Sequence, residues 1–127
     1  MHPNEQVLRD IDAAQERGDM DAFMAAFADD VVIHVGGRSS FAGDFRGKDE
    51  FAKLFERFME RTPEYAFEGH AYFADDEHGV SLQRSHYKRG EETLDTNDVF
   101  ISHFKAGKVA EIWLLTDKPY EADAFLG

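Results

Sequence analysis

The 127-residue chain contains no cysteine. Disulfides, thiolate nucleophiles and cysteine-ligated metal are therefore excluded together, and the redox compartment is left open. Long apolar runs are missing as well, since no stretch approaches the ~18 residues that a membrane span requires. The opening residues Met1 to Gln6 are polar and lack the basic and apolar regions of a secretion signal, so a cytoplasmic location is expected. Basic charge is scarce: 14 Lys and Arg stand against 26 Asp and Glu, a formal net charge of −12. So acidic a surface repels phosphate backbones and anionic lipid, because neutralising phosphates takes clustered Lys and Arg. Nucleic acid and membrane surfaces are not expected partners, and the charge serves solubility.

Reactive-site motifs are also absent. Gly36, Gly37 and Gly43 lack the strand–loop–helix spacing and the Lys of a phosphate-cradling loop. The six histidines are scattered, with no i, i+4 pair on a helix and no tight His/carboxylate motif. No serine stands in a triad pattern. Neither a metal nor a cofactor is expected.

What is present is apolar and aromatic. Hydrophobic residues make up 43% of the chain and 12 residues are Phe, enough both to close a core and to line a cavity. The length suits one domain spanning residues 1–127.

Helical period dominates the first third. Val7, Leu8, Ile11 and Ala14 recur at three- and four-residue spacing, and Gly18 is a helix stop. Asp19 can cap a second short helix with the stripe Met20, Phe23, Met24 and Phe27. Val31 to Val35 reads as a strand, followed by a glycine-punctuated loop. Phe51, Leu54, Phe55, Phe58 and Met59 then mark an amphipathic helix that ends before Pro63 and should pack across a sheet.

After Pro63 the period changes to 2, with strands expected at about 65–74, 79–89, 92–105 and 108–117 and a short helix at 120–125. Three helices followed by a meander give an α+β fold with a strongly curved, mainly antiparallel sheet. The last strand reads as apolar on both faces, with Val109, Trp113 and Leu115 on one and Ala110, Ile112 and Leu114 on the other. A second subunit is the simplest cover, so a homodimer is expected.

These residues resemble a known family. Gly18 to Phe51, with its Gly-Asp turn, Phe27-Ala28-Asp29-Asp30-Val31 helix exit and Phe41-Ala42-Gly43 loop, looks like the N-terminal half of SnoaL-like domains of the nuclear transport factor 2-like superfamily. Gly107 to Trp113, continuing to Asp117 and Asp123 to Phe125, is similar to that family's closing hairpin and last helix. The resemblance implies a cone: a curved sheet wrapped around the long helix, a pocket at the wide end, and frequent homodimers through the outer sheet face. The same fold hosts isomerases, cyclases, hydratases, epoxide hydrolases and non-enzymes. A ketosteroid-isomerase-like site would fall near Ile11 and Val35, both apolar. An epoxide-hydrolase-like pattern is broken at Arg84-Ser85-His86 and at about Leu114. Neither activity transfers.

Polar residues at alternating strand positions among apolar neighbours are the candidates for chemistry. With a three-residue hairpin loop, Gly90–Glu92, Arg84 lies opposite Asp98 and His86 opposite Thr96, which clusters acid, base and cation in one cavity wall. With a two-residue loop, Arg84 faces Asn97 and Asp98 turns away. In the clustered arrangement His86 is the general acid/base, Arg84 the oxyanion partner and Asp98 the orienting group. A plain Arg–Asp cross-strand pair is the structural alternative. Phe55 and Phe100 are expected to line the substrate pocket. Trp113 either floors it or sits in the dimer interface, while His34 is either a structural histidine or a substrate-binding one and reserve base. Asp117 and Asp123 are expected to cap the C-terminal helix. The expected function is cofactor-independent acid/base chemistry on a small, largely apolar metabolite. The alternative is a non-catalytic binding or dimerisation domain.

Overall fold

The computed structural model describes residues 1–127. Helix α1 (Pro3–Glu16) starts with Pro3, whose fixed φ suits a first turn, and His2 caps it by accepting from the Asn4 N–H at 3.0 Å. Gly18 takes φ +74° and ends the turn, after which the Asp19 carboxylate caps α2 (Met20–Ala25) through the Ala22 N–H at 3.1 Å. Strand β1 (Phe27–Val35) and a four-residue strand β2 (Gly43–Arg46) precede the long helix α3 (Gly47–Arg61). The meander follows as β3 (Ala66–Ala74), β4 (His78–Arg89), β5 (Glu92–Lys105) and β6 (Lys108–Thr116), and α4 (Pro119–Leu126) closes the chain. No helix is long and apolar enough to cross a membrane.

The six strands form one curled, open sheet in the order β2-β1-β6-β5-β4-β3. Only β1 against β6 is parallel. Two differences from the sequence reading have local causes. Strand β1 starts at Phe27 rather than Val31, because its first residues pair irregularly with β6 around a bulge while Phe27 stays in the core. Strand β2 stands where the sequence predicts loop, since Gly43-Asp44-Phe45-Arg46 is too short and polar to show a period of 2.

Aromatic rings fill the space between helix and sheet. Phe51 of α3 meets Phe27 edge-on at 4.9 Å and Phe23 at 5.8 Å, with Leu54 and Ile33 buried beside them. The Phe51–Met59 stripe thus faces the concave side, as its spacing predicts. The twice-apolar last strand needs a correction. A bulge between His103 and Phe104 shifts the register and turns Val109 inward, where it is fully buried. The convex face still carries the aligned row Val80–Ile101–Trp113 and the pair Leu82–Val99, continued by Leu115.

Candidate functional site

Between α3 and the concave sheet lies a cavity of about 300 Å³, walled by Phe rings that include Phe23, Phe41, Phe51, Phe55, Phe58 and Phe100. That size is the low end for a small-molecule site, and apolar walls with a few converging polar groups are its usual chemistry.

The polar groups come from β4 and β5, and the hairpin turn decides which ones. The loop is two residues, Gly90-Glu91, with Gly90 at φ +62° and Arg89 paired to Glu92. In this register Gln83 lies opposite Asp98, Ser85 opposite Thr96, Arg84 opposite Asn97 and His86 opposite Asp95. Residues opposite one another share a face. Gln83, Ser85, Tyr87, Thr96 and Asp98 therefore point inward, and all five are buried.

The expected Arg84/His86/Asp98 cluster does not form. Arg84 and His86 stand on the convex face, where His86 Nδ1 meets Asp95 at 2.6 Å and Arg84 approaches Glu68 at 4.0 Å. The two-residue loop was expected to turn Asp98 away. It turns Arg84 and His86 away instead, because Asp98 is held inside by the phase of β5 with Phe100, Ser102 and Phe104. Phe55 and Phe100 line the cavity as expected.

Asp98 ends a chain of donors. Ser85 Oγ donates to Asp98 Oδ2 at 2.5 Å, and Thr96 Oγ1 donates to Oδ1 at 2.9 Å. Having spent its one proton on Asp98, Ser85 can only accept from the Tyr65 hydroxyl, 2.9 Å away. Tyr65 in turn accepts from Gln83 Nε2 at 2.9 Å. Every donor thus points toward the carboxylate, and Gln83 Oε1 is left buried without a partner. Burial raises the Asp98 pKa above the ordinary carboxylate value, against the opposing pull of the Ser85, Thr96 and Thr116 hydrogen bonds. Burial likewise pushes the Tyr65 and Tyr87 hydroxyls well up, so both stay protonated donors.

A second carboxyl, Asp12 of α1, also lines the cavity and takes the Tyr72 hydroxyl at 2.5 Å. Its pKa is also raised, chiefly by burial. The sequence reading missed Asp12, Tyr65, Gln83, Ser85 and Tyr87. The signal for the β4 residues was there, as the alternation opposite in phase to Arg84 and His86.

The mouth is built by α4 and the loop after β1. Neither Asp117 nor Asp123 caps α4. Asp117 accepts from the Asn97 backbone and side chain at 2.9 and 3.0 Å. Asp123 grips the Arg38 and Ser39 N–H groups at 3.0 to 3.2 Å. A Cβ on Gly37, which sits at φ +92°, would lie 2.5 Å from Asp123 Oδ1. Gly37→Ala is therefore expected to cost about 1–3 kcal/mol through combined strain and loss of this clamp. Urea unfolding checks it, and an unchanged midpoint would refute the clamp.

His34 and Trp113 are not in the cavity. Both lie on the convex face, their rings stacked at 5.0 Å. His34 Nδ1 meets Asp44 at 2.6 Å and Nε2 meets Glu111 at 2.5 Å, pinning β2, β1 and β6 together. Either neutral tautomer would aim a lone pair at a carboxylate, so Glu111 first and Asp44 second hold the pKa above 6.5. A histidine with a raised folded value stabilises fully below its unfolded value. That stability is lost as pH climbs through the raised value. An NMR titration of the His34 ring should give a midpoint above 6.5, and one at or below it would break the assignment.

Comparison with known proteins agrees with this geometry. Bal32a, from a soil-derived mobile gene cassette, superimposes with a TM-score of 0.92 at 25% identity, over 98% of this chain and 97% of its own. A cystatin-like-fold protein of unknown function from Xanthomonas campestris gives 0.91 at 21%, covering 98% of both chains. A nuclear transport factor 2-like protein from Burkholderia pseudomallei gives 0.89 at 19%, covering 99% and 98%. No curated protein matches the chain by sequence. The SnoaL-like domain matches residues 8–112, from the first buried leucine of α1 to the centre of β6, and the chain belongs to that family.

Proposed function

We propose that this chain is a cofactor-independent acid/base enzyme that moves a proton on a small, largely apolar molecule, with Asp98 as the group that takes or gives it. The observation that supports this is a buried carboxyl with a raised pKa at the wall of a Phe-lined cavity, served by a one-way chain of hydroxyl donors. Such a carboxylate is a stronger base than a solvated one. The step needs nothing beyond the residues present. Asp98 removes a proton from an activated C–H, the electron pair moves onto the adjoining carbonyl oxygen, and the proton returns at the same or another carbon. Return to another carbon isomerises the substrate. From the same enolate, attack on a second carbonyl with the proton passing to the new alkoxide cyclises it, and loss of a β-hydroxyl with that proton, as water, dehydrates it. The acid/base role expected of His86 passes to Asp98, and the oxyanion role expected of Arg84 does not, since neither side chain reaches the cavity.

The alternative is a pocket that binds without turnover. Deuterium exchange separates the two. A β-dicarbonyl in heavy water should exchange its acidic hydrogen faster with the protein than with buffer, and Asp98→Asn should remove the difference. No acceleration by the unaltered protein would leave the binding role.

We further propose a homodimer through the convex face, motivated by the Val80–Ile101–Trp113 row. A specific interface should bury on the order of 1,200 Å² or more. Light scattering at micromolar concentration should give twice the 14.5 kDa chain mass, and a monomer would overturn the dimer.

A further inference from the structure

The cavity's polarity is one-sided. No Lys, Arg or His lines it, and its carboxyls are Asp12, Asp98 and Asp123. Asp123 is committed to the Arg38 and Ser39 backbone, whereas Asp12 and Asp98 accept only from neutral hydroxyls and have no cation among the lining residues. The unmatched capacity inside is of the accepting kind as well. Gln83 is 3% exposed and its Oε1 has no donor, an orientation that the donor chain imposes, because Nε2 must serve the Tyr65 oxygen. A buried acceptor left unpaired costs free energy that a ligand's N–H or O–H would recover.

We propose that this cavity selects an apolar amine of one or two rings, taken as its ammonium form, and rejects a carboxylate of the same shape. The proposal rests on the reading that the Asp98 cavity is the working site, and does not depend on turnover. Three features favour the ammonium over a neutral alcohol. An alcohol satisfies Gln83 Oε1 but leaves an ionised Asp98 without a counter-charge in an apolar enclosure, whereas a cation relieves that penalty. The cavity is lined by Phe rings, whose faces attract a cation and not an anion. The chain's net charge of −12 concentrates cations around the protein and disfavours the approach of anions. A carboxylate ligand meets like charge and no cation at all.

The test is calorimetric binding at pH 7 of three matched probes: 2-naphthylmethylamine, 2-naphthylmethanol and 2-naphthoic acid. The amine should bind about tenfold or more tighter than the acid, with the alcohol between, because like charges at close quarters cost several kcal/mol. The amine's lead should shrink in Asp98→Asn and in Asp12→Asn, two variants on different elements, so that misfolding of one does not end the test. If the acid binds as well as the amine, or none of the three binds, the proposal is overturned. A lead that persists unchanged in both variants also overturns it, since surface charge alone would then explain the order. If heavy-water exchange fails while this ranking holds, the enzyme reading falls and the ligand class stands.

Discussion

Asp98→Asn should lower kcat for proton transfer by about 10²–10⁴-fold, the range that a positioned acid or base contributes. The substitution keeps the shape and most of the packing. It removes the titrating group; the amide oxygen still accepts from one of Ser85 and Thr96, and the amide N–H donates to the other hydroxyl, whose proton turns away. Near-ultraviolet circular dichroism should therefore stay unchanged while turnover collapses. The pH profile adds a second check. With Asp98 as base, the rate depends on the ionised form, so it rises with pH through a midpoint above 3.8, the ordinary Asp value, because burial raises the group. His86→Ala, on the convex face against Asp95, should leave that profile in place. A full rate in the Asp98 variant, or a profile lost with His86, would remove Asp98 from its role.

Phe27→Ala should cost about 3–5 kcal/mol of stability, the usual penalty for emptying a buried aromatic site. Phe27 is 2% exposed, and its ring meets Phe51 at 4.9 Å and Phe23 at 5.3 Å, joining α2 and α3 to the start of β1. It stands where the chain changes from helix to strand, so no neighbouring backbone can slide in to fill the gap. Against a typical total of about 5–15 kcal/mol, that loss takes a large share of the folded population. Urea unfolding with an unchanged m-value measures it. A loss under about 1 kcal/mol would show that the three rings do not act as one packed unit.

Much of this architecture was legible in the residues. Within one element the period alone tells which side chains share a face, and so α3 could be oriented from Phe51, Leu54, Phe55 and Phe58. Asp19 and Gly18 marked the boundaries of the first two helices because capping and positive φ are local requirements. The four strands of the meander followed from alternation. So did the cavity-facing position of Phe100 and Phe55. The four-residue pairing at β2 and the clamp at Asp123 left no such trace, because the first is too short to show a period and the second depends on a partner far along the chain.

The sequence by itself determined the α+β class, the helix–sheet packing, the Phe-rich interior and the acidic, cysteine-free surface, since each depends on composition or on a local period. Tertiary structure alone decided the chemistry of the site. Arg84, His86 and Asp98 were all visible as polar residues in alternating strands, but which of them share a wall depends on whether the hairpin turns in two residues or three. One residue of slip moves a strand's whole set of side chains to the other face. The turn at Gly90-Glu91 put Asp98 with Gln83, Ser85 and Tyr65, and the bulge at His103 put Val109 inside and left Trp113 outside. Register is a relation between two strands, fixed by the energy of the whole packed sheet, and no single strand's pattern contains it.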